Sequence, residues 1–251
     1  MKTIILAAGE GTRLRPYTLD RPKCMVEVEG KSLIERQLEV LRAAHSEPII
    51  LIGGYRSEML VRPGITLKLN PRYAETNMVW TLFCAEEDFE GGFILAYGDI
   101  VYSPAVLKAL MVSDADISTT IDLDWEEYWR ARNEDPLEDA ETLKLSSDGA
   151  ILEIGQKPKS ISEIEGQYMG LIKFSAKGVE ILKKVFHNAK IAGSIRGKQP
   201  EKAYMTDLLQ NIVDLGYRIQ AIPVHGGWIE VDTVEDLESK TLTDRLSKMN
   251  N

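Results

Sequence analysis

An α/β fold built on a mixed, mostly parallel sheet is what this sequence predicts, on three observations. Short apolar runs alternate with helical patterns through the first 115 residues, the rhythm of βαβ crossovers. The first of these runs, Thr3–Leu6, leads straight into glycines, as a buried strand does when it feeds a loop at the end of a sheet. A 251-residue chain with 44% hydrophobic and 27% charged residues can bury one large core, and no linker, low-complexity segment or internal repeat divides it.

The elements follow in order. After the first strand, Ser32 and Glu35 form a capping box ahead of Ile34, Leu38 and Leu41 at helical spacing. Pro48–Ile52, Ile65–Leu69 and Gly92–Tyr97 are further strands, and Asn77 caps a helix carrying Val79, Leu82 and Phe83. Beyond about residue 115 the strands Asp116–Ile121, Thr142–Leu145, Ile151–Ile154 and Tyr168–Phe174 come close together. Helices near 175–187 and 203–215, strands near 218–223 and 228–231, and one closing helix near 233–247 complete the chain. The second half is expected to extend the same sheet. This gives a single domain in two parts, about 1–115 and about 116–240.

Composition removes several function classes. Thirty Lys and Arg against 39 Asp and Glu leave a net charge of −9, so no basic excess is available to hold nucleic acid or an anionic membrane surface. Cys24 and Cys84 are too few for a disulfide framework or a four-thiolate zinc site, and His45, His187 and His225 show no ligand spacing. No apolar run reaches the length of about 18 residues that a membrane span needs, and the glycines come too early for a signal peptide, so a cytoplasmic location is expected.

The chemistry concentrates in the loop Leu6-Ala7-Ala8-Gly9-Glu10-Gly11-Thr12-Arg13, which continues to Pro16, Thr18, Pro22 and Lys23. Its glycines let backbone N–H groups approach a phosphate. The dinucleotide fingerprint fails at Leu14 and the P-loop pattern fails at Met25. The motif Gly-x-Gly-Thr-Arg, followed by Pro-x-Thr and Pro-Lys, resembles instead the signature loop of nucleotidyltransferases of the sugar-1-phosphate and small-acceptor type. The resemblance extends from residue 3 to about 240 and implies a Rossmann-like (GT-A-like) domain. It implies that Leu6, Ala7, Ala8, Gly9, Gly11 and Thr12 wrap the nucleotide, that Arg13 holds the triphosphate and that Lys23 neutralises the reacting phosphates. Arg15 and Arg21 carry no such role and read as surface residues.

Asp99, in Gly98-Asp99, and Asp232, before Thr233, both stand at strand ends. In the family resembled, these two positions coordinate Mg²⁺; for Asp232 a helix N-cap is the competing reading. Gly54 and Gly98 close strands on the nucleotide side. Asn77, in Thr76-Asn77-Met78, sits where this family recognises the base, and the segment is similar to that of cytidylyltransferases, which implies CTP. Lys157, in Gly155-Gln156-Lys157-Pro158, is placed by resemblance on the acceptor's phosphate, although Gln156 departs from the family's acidic residue.

On the acceptor side, Trp125, Tyr128 and Trp129 recur at i, i+3 and i+4 of a helix, and five acids fall within residues 133–141. Aromatic faces beside carboxylates suit an ammonium group, although helix packing and a solvated acidic loop would produce the same pattern. Trp125, Trp129 and Tyr168 are the candidate aromatics, and Glu230, two residues before Asp232 on the same strand face, is a candidate carboxylate. The basic stretch 190–202, with Lys190, Arg196, Lys198 and Lys202, reads most simply as a surface loop. The other readings are closure over phosphates or contact with a second copy in a homodimer.

The expected activity is transfer of a cytidylyl group from CTP, with magnesium, to a small phosphorylated or phosphonate acceptor bearing an amino or ammonium group. Pyrophosphate is the other product. A sugar-1-phosphate nucleotidyltransferase is the nearest alternative, and an inactive regulatory subunit with the same fold is the non-enzymatic one.

Overall fold

A computed structural model describes residues 1–249. In chain order its strands are β1 (Lys2–Ala7), β2 (Glu27–Val28), β3 (Lys31–Ser32), β4 (Ile49–Gly53), β5 (Ile65–Leu69), β6 (Phe93–Tyr97) and β7 (Ile100–Tyr102). They continue with β8 (Ile117–Asp122), β9 (Leu143–Leu145), β10 (Ile151–Ile154), β11 (Gln167–Phe174), β12 (Gln220–Val224) and β13 (Trp228–Glu230). The helices are α1 (Leu33–Ala43), α2 (Met78–Phe83), α3 (Pro104–Met111), α4 (Trp125–Arg132), α5 (Ala176–Ala192), α6 (Met205–Asp214), α7 (Val234–Glu238) and α8 (Lys240–Met249).

Seven strands form the main sheet in the order β12-β8-β11-β6-β1-β4-β5. β1 lies near the centre, parallel to both β4 and β6. β11 alone runs antiparallel, between β6 and β8, so the sheet is mixed and mostly parallel, as the sequence predicts. Alternation along each strand sends neighbours to opposite faces. Ile4, Ile50, Ile52, Phe93 and Leu95 pack on one side with α2, α5 and α6, while Ile5, Ile49, Leu51 and Ile94 pack on the other with α1, α3 and α4. A third cluster, including Leu14, Val26, Val28, Ile229, Val231, Leu242 and Leu246, joins the N-terminal loop to α8.

Two boundaries differ from the sequence reading. α5 continues past residue 187 to Ala192, where Gly193 in the left-handed conformation (φ 71°) ends it, so Lys190 belongs to a helix and not to a loop. The single closing helix is two helices, because Ser239 adopts extended backbone and its Oγ accepts from Leu242 N at 3.1 Å, capping α8. No helix among the described residues is long and apolar enough to cross a membrane.

Gly178, in the first turn of α5, lies against β8: a Cβ there would stand 2.0 Å from the backbone oxygen of Asp116. Gly178→Ala should therefore destabilise the fold by about 2 kcal/mol or more. Urea unfolding checks this, with a lower midpoint at unchanged slope as the expected result.

Candidate active site

The site forms where the parallel strands β1, β4 and β6 end. Gly98 lets β6 close on β1: its N–H donates to Leu6 O at 2.9 Å, and a Cβ would come within 2.6 Å of that oxygen. Gly54 serves the loop from beneath, since a Cβ there would meet Ala8 O at 2.8 Å and the Tyr73 side chain. It supports the wall and does not line the cavity. Gly11 is left-handed (φ 63°), and its carbonyl accepts from Leu14 N and from the Thr18 hydroxyl, which turns the chain into a short 3₁₀ turn at Thr12–Leu14.

The turn Lys23–Met25 then carries Lys23 back across the strand ends. Its ammonium donates to Asp99 Oδ2 at 2.7 Å and to Asp232 Oδ1. Arg13, largely exposed, reaches the same Asp232 oxygen at 3.2 Å. Burial alone would push the Lys23 ammonium down, but the two carboxylates outweigh it and hold it raised. Asp232, which burial would raise, is held well below the usual carboxylate range by Glu230, Lys23 and Arg13. Glu230 moves the opposite way: burial and the adjacent Asp232 push it well up against the pull of Arg132.

The helix-cap reading of Asp232 does not hold. Thr233 is the cap of α7, with its hydroxyl accepting from Asp236 N and the Asp236 carboxylate accepting from Thr233 N. The Asp232 side chain is thereby free to face Lys23. Asp236 also accepts from Asp232 N at 3.0 Å and takes a two-pronged ion pair from Arg132, at 2.7 and 3.0 Å. Arg132 itself stacks over the rings of Tyr128 and Trp129 at 5.1 and 5.2 Å. No sequence motif marked this arginine, whose partner lies 104 residues away.

Two cavities adjoin at Met78 and Tyr97. The first, about 170 Å³, is lined by the loop Leu6–Gly9 together with Lys23, Asn77, Thr81 and Asp99. Asn77 caps α2, its Oδ1 accepting from Met78 N at 2.8 Å. Buried Asn70, unmarked by the sequence reading, donates to Thr76 and Thr81, both in the same wall. The second cavity, about 280 Å³, brings Arg13, Trp129 and Tyr168 together with Asp139, Glu141 and Glu230. Tyr168 donates its hydroxyl to that of Tyr97 at 3.1 Å, and the Trp129 indole N–H is buried without a hydrogen-bond partner.

Besides Gly11 and Gly54, which shape the loop and its support but line neither cavity, three expected residues lie elsewhere or act differently. Trp125 is buried in the core against Trp129, edge to face at 6.4 Å, and lines neither cavity. Lys157 is exposed, donates to the carbonyls of Leu137 and Glu138, and lines neither cavity. Thr12 is exposed in its turn and lines neither of them. Arg15 and Arg21 pair with Glu10 and Asp20 on the surface, as expected. Lys198 and Arg196 are committed to Asp207 and Asp214. Cys24 is buried under the first cavity, where burial pushes its thiol up to about 12 and so keeps it unreactive.

Comparison with known proteins gives this arrangement a family. The chain is 36% identical over 249 residues to the CTP:phosphoglutamine cytidylyltransferase of Campylobacter jejuni, covering 95% of this chain and 98% of that one. The chain belongs to the nucleotidyltransferases. The family described as MobA-like NTP transferase domain matches residues 3–122 of this nucleotidyltransferase. A choline-phosphate cytidylyltransferase of Streptococcus pneumoniae is 40% identical over 99 residues, 38% of this chain and 43% of that one. The solved inositol-1-phosphate CTP transferase of T. maritima has the same fold, with a TM-score of 0.75 at 24% identity over 100% of this chain and 96% of that one.

Because Arg132 is nearly buried between Glu230 and Asp236, Arg132→Met should leave the buried Asp236 carboxylate without its cation. A loss of about 3 kcal/mol is expected in chemical denaturation, far more than an exposed ion pair would give.

Proposed function

We propose that this nucleotidyltransferase moves a cytidylyl group from CTP to a small phosphorylated or phosphonate acceptor that carries an amino or ammonium group. One observation carries the reading: a loop-lined cavity with Lys23 and Asp99 opens, across Met78 and Tyr97, onto a cavity walled by aromatic rings and carboxylates. Similarity along the whole chain to a cytidylyltransferase with a phosphorylated amino-acid acceptor supports it.

The first cavity takes the nucleotide, with Asn77 offering its side-chain amide to the cytosine edge and the backbone of Ala8 and Gly9 meeting the phosphates. Arg13 and Lys23 supply positive charge at the triphosphate, a planar fork and a point charge respectively. The acceptor enters the second cavity, its phosphoryl oxygen directed past Tyr97 toward the α-phosphorus, so that attack and departure of pyrophosphate are in line. No covalent enzyme intermediate is required, and the residues act by positioning and by offsetting charge.

Asp99 and Asp232 suit Mg²⁺. Asp99 Oδ1 is buried with no hydrogen-bond partner, and both carboxylates face one cation, the Lys23 ammonium. Among the described residues no third carboxylate, His or Cys completes a cluster, which fits an ion that takes its remaining ligands from phosphate and water. When bound, the ion offsets charge building on the transferred phosphoryl group. The work belongs in the cytoplasm, where CTP is made.

Pyrophosphate release tests the reading, with CTP, UTP and dTTP each paired with phosphocholine, aminoethylphosphonate, glutamine phosphate and glucose-1-phosphate. Release is expected with CTP and an amino-bearing acceptor; release with glucose-1-phosphate alone would overturn the proposal. Lys23→Ala should lower kcat by about 10²–10³-fold. Asp99→Asn should abolish the magnesium-dependent part of turnover, with circular dichroism checking the fold of both variants.

A further inference from the structure

The second cavity contains three carboxylates in different electrostatic circumstances. Glu230 faces Arg132 at 3.4 Å. Asp139 stands at the exposed rim. Glu141 lies inside, its backbone oxygen fixed by the Gln167 side chain at 2.7 Å and its Oε1 at 3.5 Å from the Thr206 hydroxyl. No cation lies within ion-pairing distance of it among the described residues, because those nearby are already engaged. Lys198 holds both oxygens of Asp207 at 2.7 and 2.8 Å, and Arg13 holds Asp232. The groups facing Glu141 are thus Asp207 and Thr206 from α6, Asp139 from its own segment, Lys198, and the hydroxyls of Tyr97 and Tyr168 from β6 and β11. The rings of Trp129, Tyr168 and Tyr204 also line the cavity. Arg132 already rests on Trp129 at 5.2 Å and Lys198 on Tyr204 at 4.6 Å, so Tyr168 is the ring that offers an ammonium group a surface.

We propose that Glu141 is the specificity-determining residue that reads the cationic end of the acceptor, and that seating this end drives a proton out of the cavity. The proposal rests on the acceptor reading above and adds to it a residue and a linkage. Burial pushes the Glu141 carboxyl up to about 7; Thr206 and Lys198 oppose this, and the Asp207 and Asp139 carboxylates reinforce it. Before the acceptor binds, the carboxyl therefore keeps its proton in mildly acidic solution. An arriving ammonium stabilises the carboxylate, the O–H bond breaks, and the proton passes to buffer. The sign follows: a cationic acceptor binds more tightly as pH rises to about 7, and its affinity then levels off.

The experiment compares acceptors that differ only in charge, so that titration of their own phosphate cancels. The pairs are phosphocholine with 3,3-dimethylbutyl phosphate, and glutamine phosphate with its desamino analogue. In the wild-type enzyme the ratio of kcat/KM, charged over neutral, should rise about tenfold per pH unit below 7 and plateau above it. In Glu141→Gln the ratio should be low and independent of pH, and Glu141→Asp should restore part of the slope. Calorimetry of wild-type binding at pH 6.5, in two buffers of different ionisation enthalpy, should show more proton release with the charged member of a pair. A variant that keeps the wild-type ratio and slope would overturn the role of Glu141, as would equal proton release within each pair. A wild-type enzyme that turns over only glucose-1-phosphate would instead overturn the functional reading itself.

Discussion

The Lys23 ammonium between Asp99 and Asp232 is the contact on which the rest of the site depends. Each of the three residues comes from a different part of the chain: the N-terminal loop, the end of β6 and the segment after β13. Two carboxylates brought together in a poorly solvated cleft repel one another, and only a cation at their centre makes the arrangement favourable. The loop and the C-terminal segment are therefore held to the strand ends by charge. Beneath them the cluster of Leu14, Val26, Ile229 and Val231 holds the same pieces together by burial. Neither attachment would fix the geometry alone, because apolar packing is non-directional and a lone surface-facing ion pair is weak.

From Asp232 the same logic runs outward to α4. Arg132 stands between Glu230 and Asp236, and its flat face rests on Tyr128 and Trp129. The aromatic stripe of α4 thus has a divided role. Trp125 fills the core, Tyr128 and Trp129 together carry the arginine that anchors the opposite side of the site, and of the three Trp129 borders the second cavity. Packing and chemistry are joined in one helix, so a change in the fit of α4 would reach the position of Asp232 through Arg132.

The sheet was legible in the sequence because its strands are short apolar runs, several of them bounded by glycines, and the capping residues Ser32 and Asn77 act within a few residues of themselves. Gly9, Gly11, Arg13, Lys23, Asp99 and Asp232 were legible through the spacing of motifs. What stayed hidden depends on distant partners. β7 is three residues long and is held in place by pairing with β13, the strand that the sequence does place near 228–231. Three aromatics at helical spacing show that a face is buried, but not which ring meets a cavity. Five acids within nine residues do not reveal that Glu141 lies inside without a cation while the other four are exposed. Lys157 was placed by a short segment whose match was already incomplete at Gln156, and its ammonium is occupied by carbonyls of a neighbouring turn.

The net charge of −9 therefore has an internal distribution with chemical sense. At the first cavity the chain supplies the counter-ion for its own carboxylates, Asp99 and Asp232, through Lys23; on the proposed reading the nucleotide bound there is itself a polyanion and could not do so. In the second cavity the chain leaves Glu141 without a cation, a state that costs little only while the carboxyl holds its proton. A positively charged acceptor group supplies the missing charge, whereas an anionic or neutral one leaves the proton in place and gains nothing from it. Selectivity on this view arises from the absence of a resident cation beside Glu141 as much as from the aromatic walls.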